Sequence, residues 1–289
     1  MPGPWAIRPG SDLNHPVRIL FLLLLFCCTA CTTLPTPQER HRTADALVQY
    51  ANWEPLALET TPFWLLAYVP QRFATSEQLT VYIEGDGLAW ITPSLPSDDP
   101  TPNNPVALRL ALNHPDGNAA YLARPCQYGG AAQLPCKQDD WTSARFAPEV
   151  VAASDQAIDQ LKARFGAERL TLVGYSGGGA VAALVAARRT DVERLITVAG
   201  NLDHAAWTQT LRLRPLSGSL NPADEIQRLA PVRQWHFVGG KDRVITPELV
   251  QGYADRFPAG SQPVVRIEPD FDHHCCWVEH WARLYSQTR

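Results

Sequence analysis

The chain of 289 residues reads as an α/β protein. Three observations predict this class. Leu170-Thr171-Leu172-Val173 has the short, apolar, β-branched character of a buried strand. It passes through Gly174-Tyr175-Ser176-Gly177-Gly178 into an Ala/Val/Leu segment that meets no helix breaker before Ala187, so strand, sharp turn and helix follow one another. Similar short apolar runs recur on both sides of this unit, with helical segments among them, and about eight strands result. A domain of this size and class is commonly a single unit.

The N-terminus lies outside that scaffold. Arg8 and Arg18 precede an apolar run from Ile19 to Phe26, and Cys27-Cys28-Thr29-Ala30-Cys31 follows. A basic start, a short apolar run and small residues make an export signal, and the run is short for a membrane span. Thr29-Ala30-Cys31 resembles the end of a bacterial lipoprotein signal. The resemblance implies residues 1–31 as the signal, lipidation at Cys31 and attachment to a membrane of the cell envelope. Cys28 stands where such signals prefer Leu, which keeps ordinary cleavage and a retained anchor open. Residues 32–42, with Pro35 and Pro37, read as a tether, and residues 43–289 as the folded domain.

Within the domain a short helix is expected over Thr43–Tyr50. Leu56–Leu58 and Phe63–Val69 read as the first two strands, a hairpin. Leu79–Ile83 is the third, followed by Glu84-Gly85-Asp86-Gly87. The stretch from Ile91 to Asn118 is rich in Pro, Asn, Asp and Ser, with an amphipathic helical piece at Val106–Leu112. Ala119–Ala123 is the fourth strand, and a long loop runs to Asp140. Pro148 suits a first helical turn, Val150, Val151, Ser154, Ile158, Leu161 and Phe165 share a face, and Gly166 ends the helix. The Leu170 strand is fifth, Arg194–Ala199 sixth, Gln234–Val238 seventh and Val264–Ile267 eighth, and Trp277–Ser286 is a closing helix. Residues 205–224, after the sixth strand, have weak periodicity and form a small insertion, a possible lid.

The Gly-x-Ser-x-Gly turn at 174–178, with its strand before and helix after, resembles the nucleophile elbow of the α/β-hydrolase superfamily. The resemblance implies a mostly parallel sheet with helices on both faces, and a serine hydrolase acting on an ester or related acyl bond. Its stations match this chain in the order Ser176, Asp242, His273, each after a predicted strand. Ser176 would be the nucleophile, His273 the base and Asp242 the carboxylate that orients it. Asp203 is a rival acid and His274 a rival base. The oxyanion hole would comprise backbone N–H groups of Gly177 and Asp86, with Gly87 second to Asp86. Glu84 occupies the place where the family commonly has His. The substrate implied is a small-molecule acyl ester, with no cofactor and no metal. An acyltransferase, and an envelope lipoprotein that binds without catalysis, are the alternatives.

Seven cysteines are present, four of them beyond Cys31. In an exported chain these can oxidise, and Cys126 with Cys136 would close a loop of about ten residues, stabilising it by about 2–3 kcal/mol. Cys275 and Cys276 can bridge each other, pair elsewhere or stay reduced. The packed run from Asp270 to Cys276 is poor geometry for tetrahedral metal ligation, and His280 reads as structural. A net charge of −4 without a basic run excludes nucleic acid as a partner. Nothing in the sequence addresses oligomeric state.

Overall fold

A computed structural model describes residues 1, 3, 34–129 and 135–289. Residues 1–31, expected to be a signal with lipidation at Cys31, lie outside the described residues apart from Met1 and Gly3. Everything below concerns the unit Thr36–Arg289.

Its first element is the helix α1 (Pro37–Tyr50). This corrects the expectation of a tether over 32–42, since residues 37–42 are helical. Thr36 and Glu39 form a reciprocal capping box and Pro37 takes the first helical position, so the prolines mark a helix start and not a linker. Arg40 anchors the helix, donating to the backbone carbonyl of Asp99 and, at 3.2 Å, to its carboxylate.

Eight strands form one sheet: β1 (Trp53–Glu59), β2 (Trp64–Pro70), β3 (Gln78–Ile83), β4 (Asn118–Leu122), β5 (Arg169–Tyr175), β6 (Val192–Val198), β7 (Arg233–Gly239) and β8 (Val264–Glu268). Their spatial order is β1-β2-β4-β3-β5-β6-β7-β8. β2 runs antiparallel to both neighbours, and the remaining pairings are parallel. All eight predicted strands are present. A small separate hairpin, Trp90–Thr92 with Leu95–Pro96, lies in the loop after β3.

Helices cover both faces. Leu170 and Leu172 of β5 pack into one core layer with α3 (Pro148–Phe165) and α4 (Gly177–Ala186). Val173 and Tyr175 point the other way, into a layer built with α1, α2 (Val106–Leu112) and α8 (Trp281–Ser286). A strand buried on both faces needs a continuous apolar run and not an alternating one, which is what Leu170–Val173 supplies.

The insertion after β6 carries α5 (His204–Thr210) and leads to α6 (Ile226–Leu229). Its backbone joins Leu220 to Phe146, and the Trp207 indole donates to the Val244 carbonyl. After β7 comes α7 (Pro247–Ala254). α8 begins at Trp281, later than expected, because the Asp272 carboxylate draws the backbone N–H groups of His274 and Cys275 into a turn.

Candidate active site

Parallel strands return their C-terminal ends to one edge, and the loops there meet. Ser176 follows β5, Asp242 follows β7 and His273 follows β8. Ser176 has φ 50° and ψ −121°, a backbone conformation that lifts its side chain out of the turn. The turn closes only because glycines flank it. A Cβ on Gly174 would lie 2.3 Å from the Gly178 carbonyl oxygen, and one on Gly178 would lie 2.3 Å from that of Ile83.

The three side chains form a hydrogen-bonded line. His273 Nε2 lies 3.1 Å from Ser176 Oγ, and His273 Nδ1 lies 2.8 Å from Asp242 Oδ2. Asp242 Oδ1 accepts from the backbone N–H groups of Val244 and Ile245 at 2.7 and 2.8 Å, which fixes the carboxylate that faces the imidazole. Its side chain is fully buried. An imidazole held between a carboxylate and a hydroxyl can take the hydroxyl proton and return it.

The rival residues stand elsewhere. Asp203 caps α5, accepts from the Asn221 amide and pairs with Arg256 at 3.0 Å. His274 turns its Nδ1 to the Tyr175 hydroxyl at 2.9 Å, beside the site but out of the line. His280 hydrogen-bonds the Cys276 carbonyl.

The opposite wall is the loop after β3. Gly177 begins α4 and Asp86 lies directly over it: a Cβ on Gly177 would come within 2.0 Å of Asp86 Oδ1. The Asp86 carboxylate is met by Arg145 at 2.6 Å and Arg124 at 3.2 Å. Burial opposes its charge, yet the two guanidinium groups outweigh that and hold its carboxyl below the usual range. Arg124 also donates to the Arg145 carbonyl, joining the two arginines. Gln127 adds a second tie, donating to the Gly85 carbonyl at 3.0 Å. The backbone N–H of Tyr128 donates to Thr101 at 2.6 Å. Cys126 sits inside this turn and is joined to Cys136, with Cα atoms 5.9 Å apart. Cys275 and Cys276 pair with each other.

Glu84, the residue after β3, is 1% exposed and serves the fold. It accepts from the backbone N–H groups of Gly85, Ala107 and Leu108, the latter two in the first turn of α2. Burial raises its pKa to about 7, against the pull of those N–H groups. The folded value exceeds the unfolded one, so the folded protein holds an extra proton between about pH 4.5 and pH 7. That stabilisation is complete below the unfolded pKa and is lost as pH rises through about 7, amounting to roughly 3 kcal/mol across the window. Urea unfolding at several pH values should show this slope in the wild type and lose it in Glu84→Gln. An unchanged slope in the variant would assign the effect to another group.

The site opens into a cavity of about 390 Å³. Ser176, His273, His274 and Tyr175 line one side, and Leu88, Pro102, Asn103 and Asn104 another. Residues 205–224, expected as a possible lid, supply none of this lining. They pack instead on the 143–146 loop, where Ser219 Oγ donates to the Ser143 carbonyl at 3.0 Å. The cover comes from residues 86–104. Among the described residues one trio of metal-ligating types gathers, Cys126, Cys136 and Asp140, and both sulfurs are committed to their bridge.

Arg124, Arg145 and Gln127 were not legible in the sequence. Each lies in a loop far from Asp86 along the chain, with no local pattern to signal a shared site.

No protein-family model matches this chain, and no curated protein is similar to it in sequence. Solved structures do resemble it. Est1E from Butyrivibrio proteoclasticus superposes with a TM-score of 0.56 at 13% identity, covering 81% of this chain and 96% of that one. A Pyrococcus furiosus esterase gives 0.55 at 11%, covering 82% and 89%. An alpha-beta serine hydrolase homologue from Coxiella burnetii gives 0.54 at 15%, covering 81% and 95%. At such identities the likeness establishes the architecture: this chain has the α/β-hydrolase fold.

Proposed function

We propose that this chain, built on the α/β-hydrolase fold, is a serine hydrolase that cleaves an ester or related acyl bond through an acyl-enzyme. One observation carries the reading: the continuous line from Ser176 Oγ through His273 to a buried, doubly N–H-bonded Asp242. Ser176 Oγ attacks the acyl carbon while its proton passes to His273 Nε2. Asp242 holds the proton on Nδ1 and stabilises the imidazolium that forms. The oxyanion is received by the backbone N–H of Gly177, at the positive end of α4, and by that of Asp86. His273 then gives its proton to the leaving alcohol, and water, activated by the same imidazole, releases the acid. The cavity suits a small-molecule acyl ester.

The test is covalent. A fluorophosphonate probe applied to the purified protein should label Ser176, and digestion should place the label there. His273→Ala should abolish it. Labelling at another serine, or labelling indifferent to His273, would defeat the reading.

We further propose that the protein works in a bacterial cell envelope, tethered through Cys31. The export-like segment before Cys31 and the Cys126–Cys136 pairing, of a kind that persists outside the cytosol, support this. Metabolic labelling with a palmitate analogue should mark the wild type and disappear in Cys31→Ser. Label retained in that variant would exclude Cys31 as the anchor.

A further inference from the structure

A second cavity, of about 400 Å³, lies at the opposite edge of the sheet from Ser176. Its lining comes from the beginnings of strands, with Gln78 of β3, Asn118 of β4, Arg194 of β6 and Arg233 of β7, and α8 closes it through Tyr285.

Its charges do not balance. Arg194 and Arg233 are register partners on neighbouring parallel strands, so their side chains leave the same face of the sheet about 5 Å apart. Like charges directly opposite each other on adjacent strands repel. Neither arginine meets a carboxylate among the described residues. The two acids in the lining are already engaged: Glu193 shares Arg169 with Glu77, at 3.2 and 2.9 Å, and accepts from the Gln78 amide at 3.1 Å, while Asp116 takes Arg289, a third arginine of the lining. His114 adds no charge, since burial lowers its pKa to about 4.

Arg194 is held in place. Its Nε donates to Thr171 Oγ1 at 3.2 Å, one terminal nitrogen donates to the Thr288 carbonyl at 3.2 Å, and the guanidinium lies over the Tyr285 ring. The remaining contact, to the Tyr285 hydroxyl, is long at 3.5 Å. A guanidinium has five N–H donors, so at least two of its donors remain for a ligand. Arg233 is exposed at the mouth, and its side chain makes no hydrogen bond among the described residues.

We infer that this cavity binds a phosphate group, free or esterified, between Arg194 and Arg233. A compact multivalent anion relieves the repulsion of the paired strands and matches the fork of the guanidinium, which a chloride ion does not. Arg194 supplies a preorganised seat and Arg233 the second charge. The site stands apart from the proposed acyl chemistry, at the other edge of the sheet, and its test needs no turnover.

The experiment is a titration of the full chain with inorganic phosphate, and in parallel with glycerol 3-phosphate, at constant ionic strength. Calorimetry and the thermal midpoint are both followed. Saturable binding with a rising midpoint is expected in the wild type. Arg233→Gln, at an exposed position, should fold normally and bind at least tenfold more weakly. Arg194→Lys, which keeps charge but loses the fork, should also weaken binding. A response to inorganic phosphate alone identifies a free anion as the ligand, and a stronger response to glycerol 3-phosphate identifies an ester. Either supports the site if Arg233→Gln diminishes it. No saturable response to either compound, or equal binding by Arg233→Gln, overturns it.

Discussion

Ser176→Ala is expected to lower kcat for a small acyl ester by on the order of 10⁶-fold while leaving the fold unchanged. His273→Ala should lose a similar factor, and the double variant little more than either single one. A nucleophile and its base act as one unit, so removing the second after the first has little left to take. Asp242→Asn should fall less, by about 10⁴-fold, since the imidazole stays in place but is held in the wrong tautomer. The amide oxygen can keep the two backbone N–H groups that Asp242 Oδ1 takes, which turns its NH2 to His273 Nδ1, so the rate should fall with little loss of stability. Steady-state kinetics on a chromogenic acetate ester, with circular dichroism as the folding control, decides the matter. Ser176→Ala retaining more than about one per cent of activity would remove Ser176 as the nucleophile.

The largest structural effect is expected at Asp86. Its side chain is 19% exposed, whereas those of Arg124 and Arg145 are 5% and 6% exposed. Asp86→Ala leaves two linked guanidinium groups in a poorly hydrated place without a counter-charge. Breaking a buried ion pair from one side costs about 3–5 kcal/mol, far more than a surface pair would. The same change unpins the loop from Gly85 to Gly87 over Gly177, so the proposed second oxyanion donor, Asp86 N–H, should lose its position and kcat should fall with little change in KM. Asp86→Asn keeps the shape and an acceptor but not the charge, and should lose less stability. Urea unfolding and kcat measured on both variants test this together. An Asp86→Ala protein within 1 kcal/mol of wild type, with kcat intact, would show that the clamp does not hold the loop.

The elbow was readable because strand, glycine turn and helix are local. Gly174, Ser176 and Gly178 lie within one turn, and the close approaches that require glycine follow from that spacing. Asp242 and His273 could be picked out because each follows a recognisable strand. Two local readings differ from the structure. Pro35 and Pro37 read as linker residues, whereas Thr36 with Glu39 makes the helix start that Pro37 completes. Residues 205–224 were read as a possible lid from their place in the chain, yet the cavity wall comes from residues 86–104. Glu84 marked a departure from the family pattern, and its role became plain only when the start of α2 was found against it.

By itself the sequence determined the α/β class, all eight strands, the Gly-x-Ser-x-Gly turn between strand and helix, and the candidates Ser176, Asp242 and His273 in that order. These depend on hydrophobic periodicity and on turn chemistry, both of which act over a few residues. Only the tertiary structure decided which acid and which histidine complete the line, setting Asp203 to cap a helix and His274 to face Tyr175. It alone joined Asp86 to Arg124 and Arg145, and Arg194 to Arg233. Ion pairs and strand register are made by chain crossings, and partners separated by tens of residues carry no mark of one another until the sheet has closed.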